Sequence, residues 1–212
     1  MLRIGAILLA MVALAGCSVS SILEPTKDPS QFYVLTAIDA TTRSVPITYS
    51  AVGARDVSIG LGPVKFPAYL AREEIVTRSS PNKIEPSDIN RWAEPLDKNF
   101  VTVLAQNLTL LTGAHVKTFP WYRPANLDYQ IALDVTRFDT DSHGTASVMG
   151  RWEIEDPDNQ GALNSGEINI TDAAQAGETN AATLSRALAD VSTQLVDALR
   201  ATKHPSPRPK TD

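Results

Sequence analysis

Apolar and polar residues fall along this chain in three patterns, each of which predicts a different kind of element. In 129–136 they alternate, with Tyr129, Ile131, Leu133 and Val135 on one side and Gln130, Asp134 and Thr136 on the other. That period of two marks a half-buried strand. After a turn at Gly144, the positions Ala146, Val148, Trp152 and Ile154 repeat it, and after a second turn over 156–161 a strand over 167–171 closes a three-strand meander. The period turns helical at Leu96, Phe100, Val103, Leu104, Leu108 and Leu111, with Asn99, Thr102 and Gln106 as polar positions between them. Pro95 suits the first turn of that helix and Gly113 its end. A second helical stripe, Leu184, Leu188, Val191, Leu195 and Leu199, predicts a helix over 179–200.

Shorter signals fill the first half. Phe32 to Thr36 reads as a strand, while 41–54 reads as a loop with a trace of alternation at Ile47 and Tyr49. A strand over 57–61 is expected to break at Gly62-Pro63, and 64–70, with Pro67, suits an edge or loop better than a central strand. A strand over 74–78, a turn at Pro81-Asn82 and a short partner over 83–85 predict a hairpin. A further strand over 116–119 ends at Pro120-Trp121. Strands, helix, strands, helix, without regular βαβ units, argue for an α+β fold: an antiparallel sheet with two helices packed on one face, behind a lipidated N-terminal tether.

The third pattern is an almost wholly apolar run over 4–15, preceded by Arg3 and ending in Leu14-Ala15-Gly16-Cys17. It has the layout of a signal peptide and is shorter than the roughly 20 residues a membrane span needs. Its end looks like a bacterial lipobox. In that class cleavage falls between Gly16 and Cys17, the Cys17 sulfur receives a diacylglycerol, and the new amino terminus takes an acyl chain such as palmitate. One chain holds a membrane weakly and two or more hold it stably, at about 0.8 kcal/mol per buried CH₂. Cys17 is the one cysteine among 212 residues, so the mature chain has no disulfide. The expected organisation is a signal peptide over 1–16, a lipidated tether over 17–31, a folded domain over 32–200 and a Pro-rich, disordered tail over 201–212. The tether could reach about 45 Å at ~3.3 Å per residue.

Charge narrows the partners. The net charge is −5, and −6 once Arg3 is removed with the signal peptide. With a pI near 5.2 and no Lys/Arg cluster, the chain lacks the electrostatic footprint of a nucleic-acid binder. The same acidity argues against broad docking on anionic headgroups, which leaves membrane attachment to the lipid.

Catalytic and metal motifs are sparse. Gly60-Leu61-Gly62 follows a strand but runs into Pro63, without the third glycine or the helix of a dinucleotide fingerprint. His115, His143 and His204 have no metal ligand at suitable spacing. The nearest approach to a calcium loop is Asp156-Pro157-Asp158-Asn159-Gln160-Gly161 with Glu167 twelfth, but its flanks read as strands, so a plain hairpin turn is expected. The carboxylates Asp134, Asp139, Asp141, Glu153 and Glu155 read as a solvated sheet face, with Asp134, Arg137 and Arg151 balancing one another. No catalytic residue, metal or cofactor is expected.

Ile59-Gly60-Leu61-Gly62-Pro63-Val64-Lys65-Phe66-Pro67-Ala68-Tyr69-Leu70 with Ile75-Val76-Thr77-Arg78, then Arg91-Trp92-Ala93-Glu94-Pro95-Leu96, Phe119-Pro120-Trp121 and Asp134-Val135-Thr136-Arg137-Phe138-Asp139, resembles in that order the PqiC family of outer-membrane lipoproteins. The resemblance implies a non-enzymatic, periplasm-facing subunit of an intermembrane lipid transport system that supports membrane integrity. Its implied partners are an MCE-domain protein and an inner-membrane component, with a homo-oligomeric ring on the inner leaflet of the outer membrane. Ser18 lacks the aspartate that commonly retains lipoproteins at the inner membrane. The residues singled out for a partner or oligomer interface are Trp121, Arg91 and Trp92, since Trp and Arg are enriched at binding hot spots. For Trp92 the competing reading is a staple between helix entry and sheet. The alternative function is a lipoprotein that itself binds lipid or another apolar ligand in a helix–sheet pocket.

Overall fold

The computed structural model describes residues 28–39, 57–121, 126–158 and 161–202. Among the described residues eight strands and two helices follow one another as β1 (Gln31–Tyr33), β2 (Ser58–Lys65), β3 (Glu74–Ser80), β4 (Lys83–Trp92), α1 (Leu96–Thr112), β5 (His115–Thr118), β6 (Tyr129–Asp141), β7 (Ala146–Asp156), β8 (Gly161–Asp172) and α2 (Asn180–Ala201). Cys17, Gly16, the stretch over 41–54 and the tail beyond Thr202 lie outside the described residues.

The long alternating strand β6 organises the sheet. One of its edges is taken along nearly its whole length by β7, antiparallel, and β7 passes the pairing on to β8. A strand has only two edges, so everything else on β6 must share the other. There β2 and β3 lie end to end, both parallel to β6: Ile59 faces Tyr129 and Lys65 faces Asp134, while Thr77 faces Thr140 and Arg78 faces Asp141. From this edge the sheet forks. β5 extends the β2 branch in parallel, whereas β4 and then β1 extend the β3 branch.

The α+β class with two helices stands, and the sheet is mixed rather than wholly antiparallel. Hairpin signals are local and reveal only the antiparallel pairs β3–β4, β6–β7 and β7–β8. The parallel pairs join strands distant in sequence. The apolar side of the meander (Tyr129, Ile131, Leu133, Val135, Trp152, Ile154) faces the stripes of both helices in one core with Phe100, Leu104, Leu108, Leu188, Val191 and Leu195. Fully burying each large side chain contributes about 1.5–3 kcal/mol.

Several boundaries moved for identifiable reasons. β2 runs through Gly62-Pro63 instead of stopping there. The register against β6 shifts between Leu61 and Val64, which accommodates a residue without an N–H. β4 is ten residues long, not three, because its second half pairs with β1 as well as with β3. The first strand is short, since from Val34 the backbone leaves the sheet. Pro95 is the N-cap of α1 rather than part of its first turn, and Gly113 closes that helix in the left-handed conformation (φ 70°). Thr179 caps α2, its hydroxyl accepting the Ala182 N–H.

Candidate docking site

The fork creates a concavity with a largely apolar lining. Between the end of β2 and the start of β3 the chain makes an excursion over 66–73 with a 3-10 turn at Ala68–Leu70, and the gap it leaves faces the β4–α1 junction. The resulting cleft has a volume of about 560 Å³. Its apolar lining comes from Val64, Phe66, Leu70, Trp92, Leu96 and the prolines Pro67 and Pro95. Phe66 packs edge-on against Phe100 with centroids 4.9 Å apart, and Phe100 against Phe138 at 5.3 Å, so one wall continues into the core. The charged residues lining the cleft are Arg72, Glu73, Glu94 and Asp97.

Trp92 is buried, 6% exposed, at this floor, and its backbone N–H donates to the Glu73 carbonyl. That geometry is a staple between helix entry and sheet. Arg91 points to the other side of β4, half-buried, its Nη1 3.9 Å from a Glu73 carboxylate oxygen. The two neighbours therefore do different things. Trp121 stands at the far branch, 5.3 Å edge-on from Phe119, which is 53% exposed. Both rings rest on glycines of β2. A Cβ on Gly60 would come within 3.1 Å of the Trp121 ring, and one on Gly62 (φ 124°) within 2.6 Å of Phe119 Cβ. Gly60 and Gly62 thus seat aromatic rings rather than phosphate. The structure leaves Arg91, Trp92 and Trp121 on separate features and does not gather them into one patch.

Two polar assemblies were not foreseen. Asp139, fully buried, accepts from Arg78 Nη2 at 2.7 Å, Arg137 Nε at 2.8 Å and Tyr69 Oη at 3.0 Å. Burial first, and then the Asp139 charge, push the Tyr69 phenol above its ordinary pKa. The hydrogen bonds to Asp139 hold Arg78 more firmly protonated. Asp139 was expected on a solvated face, with Arg137 balancing Asp134. Instead Arg137 turns to Asp139, and Arg151 alone meets Asp134, at 3.6 Å on the open face.

The second assembly is a strap. Beyond β1 the extended segment over 34–38 runs along the helix pair, and side chains satisfy its backbone. The Leu35 N–H donates to Asn99 Oδ1, the Thr36 N–H to Ser185 Oγ and the Ile38 N–H to Asn107 Oδ1. Asn107 Nδ2 in turn donates to Ser192 Oγ, tying α1 to α2. These pairings run in the same order along both helices, so α1 and α2 lie side by side and parallel. Asn99 also donates to Glu94 Oε1 at 2.6 Å, which links the strap to the cleft.

The Asp156 loop behaves as a hairpin. Asp156 Oδ1 accepts the Asp158 N–H, and Glu167 faces Arg151, five residues back along β7. At ~3.3 Å per residue that places Glu167 roughly 17 Å along the strand from Asp156. Among the described residues no group of three or more His, Cys, Asp or Glu could hold a metal ion. Nor is any described helix long and apolar enough to cross a membrane.

The fold and sequence can be compared with known proteins. A crystal structure of an uncharacterized protein superposes with a TM-score of 0.63 at 19% identity, over 80% of this chain and 98% of that one. Protein XCC0632 from Xanthomonas campestris, described as DUF330, superposes with a TM-score of 0.59 at 17% identity, over 81% of this chain and 96% of that one. At such identities these likenesses establish the fold alone. No curated protein matches the sequence. The family described as "ABC-type transport auxiliary lipoprotein component" matches residues 33–196, which takes in the strap, the forked sheet, the cleft and most of α2. The chain belongs to the ABC-type transport auxiliary lipoproteins.

Proposed function

We propose that this auxiliary lipoprotein is a non-enzymatic docking adaptor, anchored through Cys17 to the inner leaflet of the outer membrane and facing the periplasm. It assembles with copies of itself and receives an MCE-domain transport protein whose inner-membrane partner completes an intermembrane lipid route. The observation that carries this reading is the family match over nearly the whole folded domain. The strap agrees with it. Whatever pulls on the amino-terminal tether pulls on a segment hydrogen-bonded to both helices, so the load passes into the core. Trp121 with Phe119, and Arg91 on its own face, are the aromatic and guanidinium groups offered for contacts between copies or with the transporter.

Anchoring is checked by following the full chain and its Cys17→Ser variant through membrane fractionation. The native chain is expected in the outer-membrane fraction with its acyl groups, and the variant, which keeps its uncleaved apolar run, outside that fraction and without them. A variant still acylated in the outer-membrane fraction would contradict the anchor. A second reading, direct binding of a lipid or other apolar ligand, draws on the apolar floor of the cleft. It predicts that the protein purified in mild detergent carries a stoichiometric lipid beyond its own acyl chains, as mass spectrometry would read.

A further inference from the structure

The cleft at the fork has a mouth whose charge selects among ligands. Its lining carries three carboxylates, Glu73, Glu94 and Asp97, against one guanidinium, Arg72; Glu73 also faces Arg91 at 3.9 Å and Asp97 the exposed Lys98 at 3.5 Å, whereas Glu94 bonds to an uncharged amide. Glu94 is held in place by the Asn99 amide, which the strap fixes from its other end. Asp97 sits in the first turn of α1, where the helix dipole favours the charged carboxylate. An apolar floor of Phe66, Leu70, Trp92 and Leu96 behind an acidic, pre-positioned rim repels a fatty-acid carboxylate or a phospholipid phosphate. It attracts an apolar side chain flanked by a cation. The volume of about 560 Å³ falls within the range of roughly 300–1,000 Å³ for ligand-sized sites.

We propose that this cleft is a peptide-docking site. It takes a short segment of the transport partner in which a large apolar side chain enters between Leu70 and Trp92. A neighbouring lysine or arginine meets Glu94 and Asp97. The proposal rests on the adaptor reading and names the chemistry of the partner at one place. Because the chain as a whole is acidic, the same charge steers a basic segment from a distance, and attraction at the rim weakens with salt.

The test uses the full acylated chain in zwitterionic detergent and two variants chosen to keep the fold. Glu94→Gln with Asp97→Asn removes charge and keeps shape. Ala71→Trp, at an exposed lining position, fills the cleft without adding charge. The probe is a blocked nonapeptide alternating leucine or phenylalanine with lysine or arginine, followed by fluorescence anisotropy, with a glutamate-for-cation analogue and oleate as competitors. The expected result is salt-sensitive binding to the native chain, weakened about tenfold by the charge variant and at least as much by Ala71→Trp. Neither competitor should displace the peptide. Equal binding to all three proteins, no binding to the native chain, or displacement by oleate would each overturn the proposal, the last in favour of a lipid site. Affinity capture of an MCE-domain protein separates the two readings. Capture by the native chain and loss with Ala71→Trp supports both. Equal capture by native and Ala71→Trp chains overturns the cleft alone. No capture by any of them overturns the adaptor, and with it the identity of the cleft's partner.

Discussion

Asp139 holds two guanidinium groups and a phenol from inside the sheet, where its side chain has no exposure to water. Replacing it with alanine leaves Arg78 and Arg137 without their counter-charge and the Tyr69 hydroxyl without its acceptor. Breaking such a buried pair from one side costs about 3–5 kcal/mol. The urea midpoint of Asp139→Ala should fall accordingly, whereas alanine at the exposed Arg151, which meets Asp134 on the open face, should change stability by less than about 1 kcal/mol. Two glutamates give opposite pH dependences. Glu178 bonds to Arg186 Nη1 at 2.6–2.7 Å, which holds its carboxyl below the ordinary value of 4.5. Its contribution is therefore complete above pH 4.5 and is lost as the pH falls through the lower folded value. Glu155 is pushed above 4.5, by burial first and then by Glu153. Its ionisation opposes folding, a cost that enters as the pH rises from 4.5 through the raised folded value. Thermal melts across pH 3–8 should thus show Glu178→Gln losing stability at neutral pH but little at pH 3. Glu155→Gln should gain at neutral pH. A gain from the first or a loss from the second would contradict these assignments.

At the scale of elements, the strap is the feature that a one-dimensional reading passes over. Asn99 stood in the sequence as a polar position between apolar ones on α1, yet it is 4% exposed and Asn107 is fully buried. Their amides complete hydrogen bonds for a segment more than sixty residues away, and nothing in a helical period distinguishes that use from a solvated face. Asn107→Ala leaves the Ile38 N–H without its acceptor and the Ser192 hydroxyl with the Leu188 carbonyl alone. It should destabilise the domain by about 1–3 kcal/mol and speed amide exchange at Leu35, Thr36 and Ile38. Unchanged exchange there would show that the strap does not depend on the helix amides. The meander and both helices were legible because each carries a long, uninterrupted period. Tyr129 to Val135 and Leu184 to Leu199 leave little choice of face. The fork was not legible. It depends on β2 and β3 lying in line on one edge of β6, and strands that pair in parallel across dozens of residues leave no local mark. The cleft, a product of the fork, was hidden for the same reason, although Trp92, Glu94, Pro95 and Leu96 stand together in one sequence motif.

For the whole molecule, the strap joins the chain that follows the tether to both helices, and the cleft lies where α1 begins. Asn99 bonds to both the strap and Glu94, so one side chain links the strap to the rim of the cleft. Family membership makes the chain an ABC-type transport auxiliary lipoprotein; the adaptor role proposed above would put it where a lipid route meets the outer membrane. Affinity purification of the full acylated chain from its own membranes, with chemical cross-linking and mass measurement, tests that role most directly. The account predicts several copies of this chain bound to an MCE-domain transport protein and its inner-membrane partner. A monomer recovered without any transport protein would contradict it.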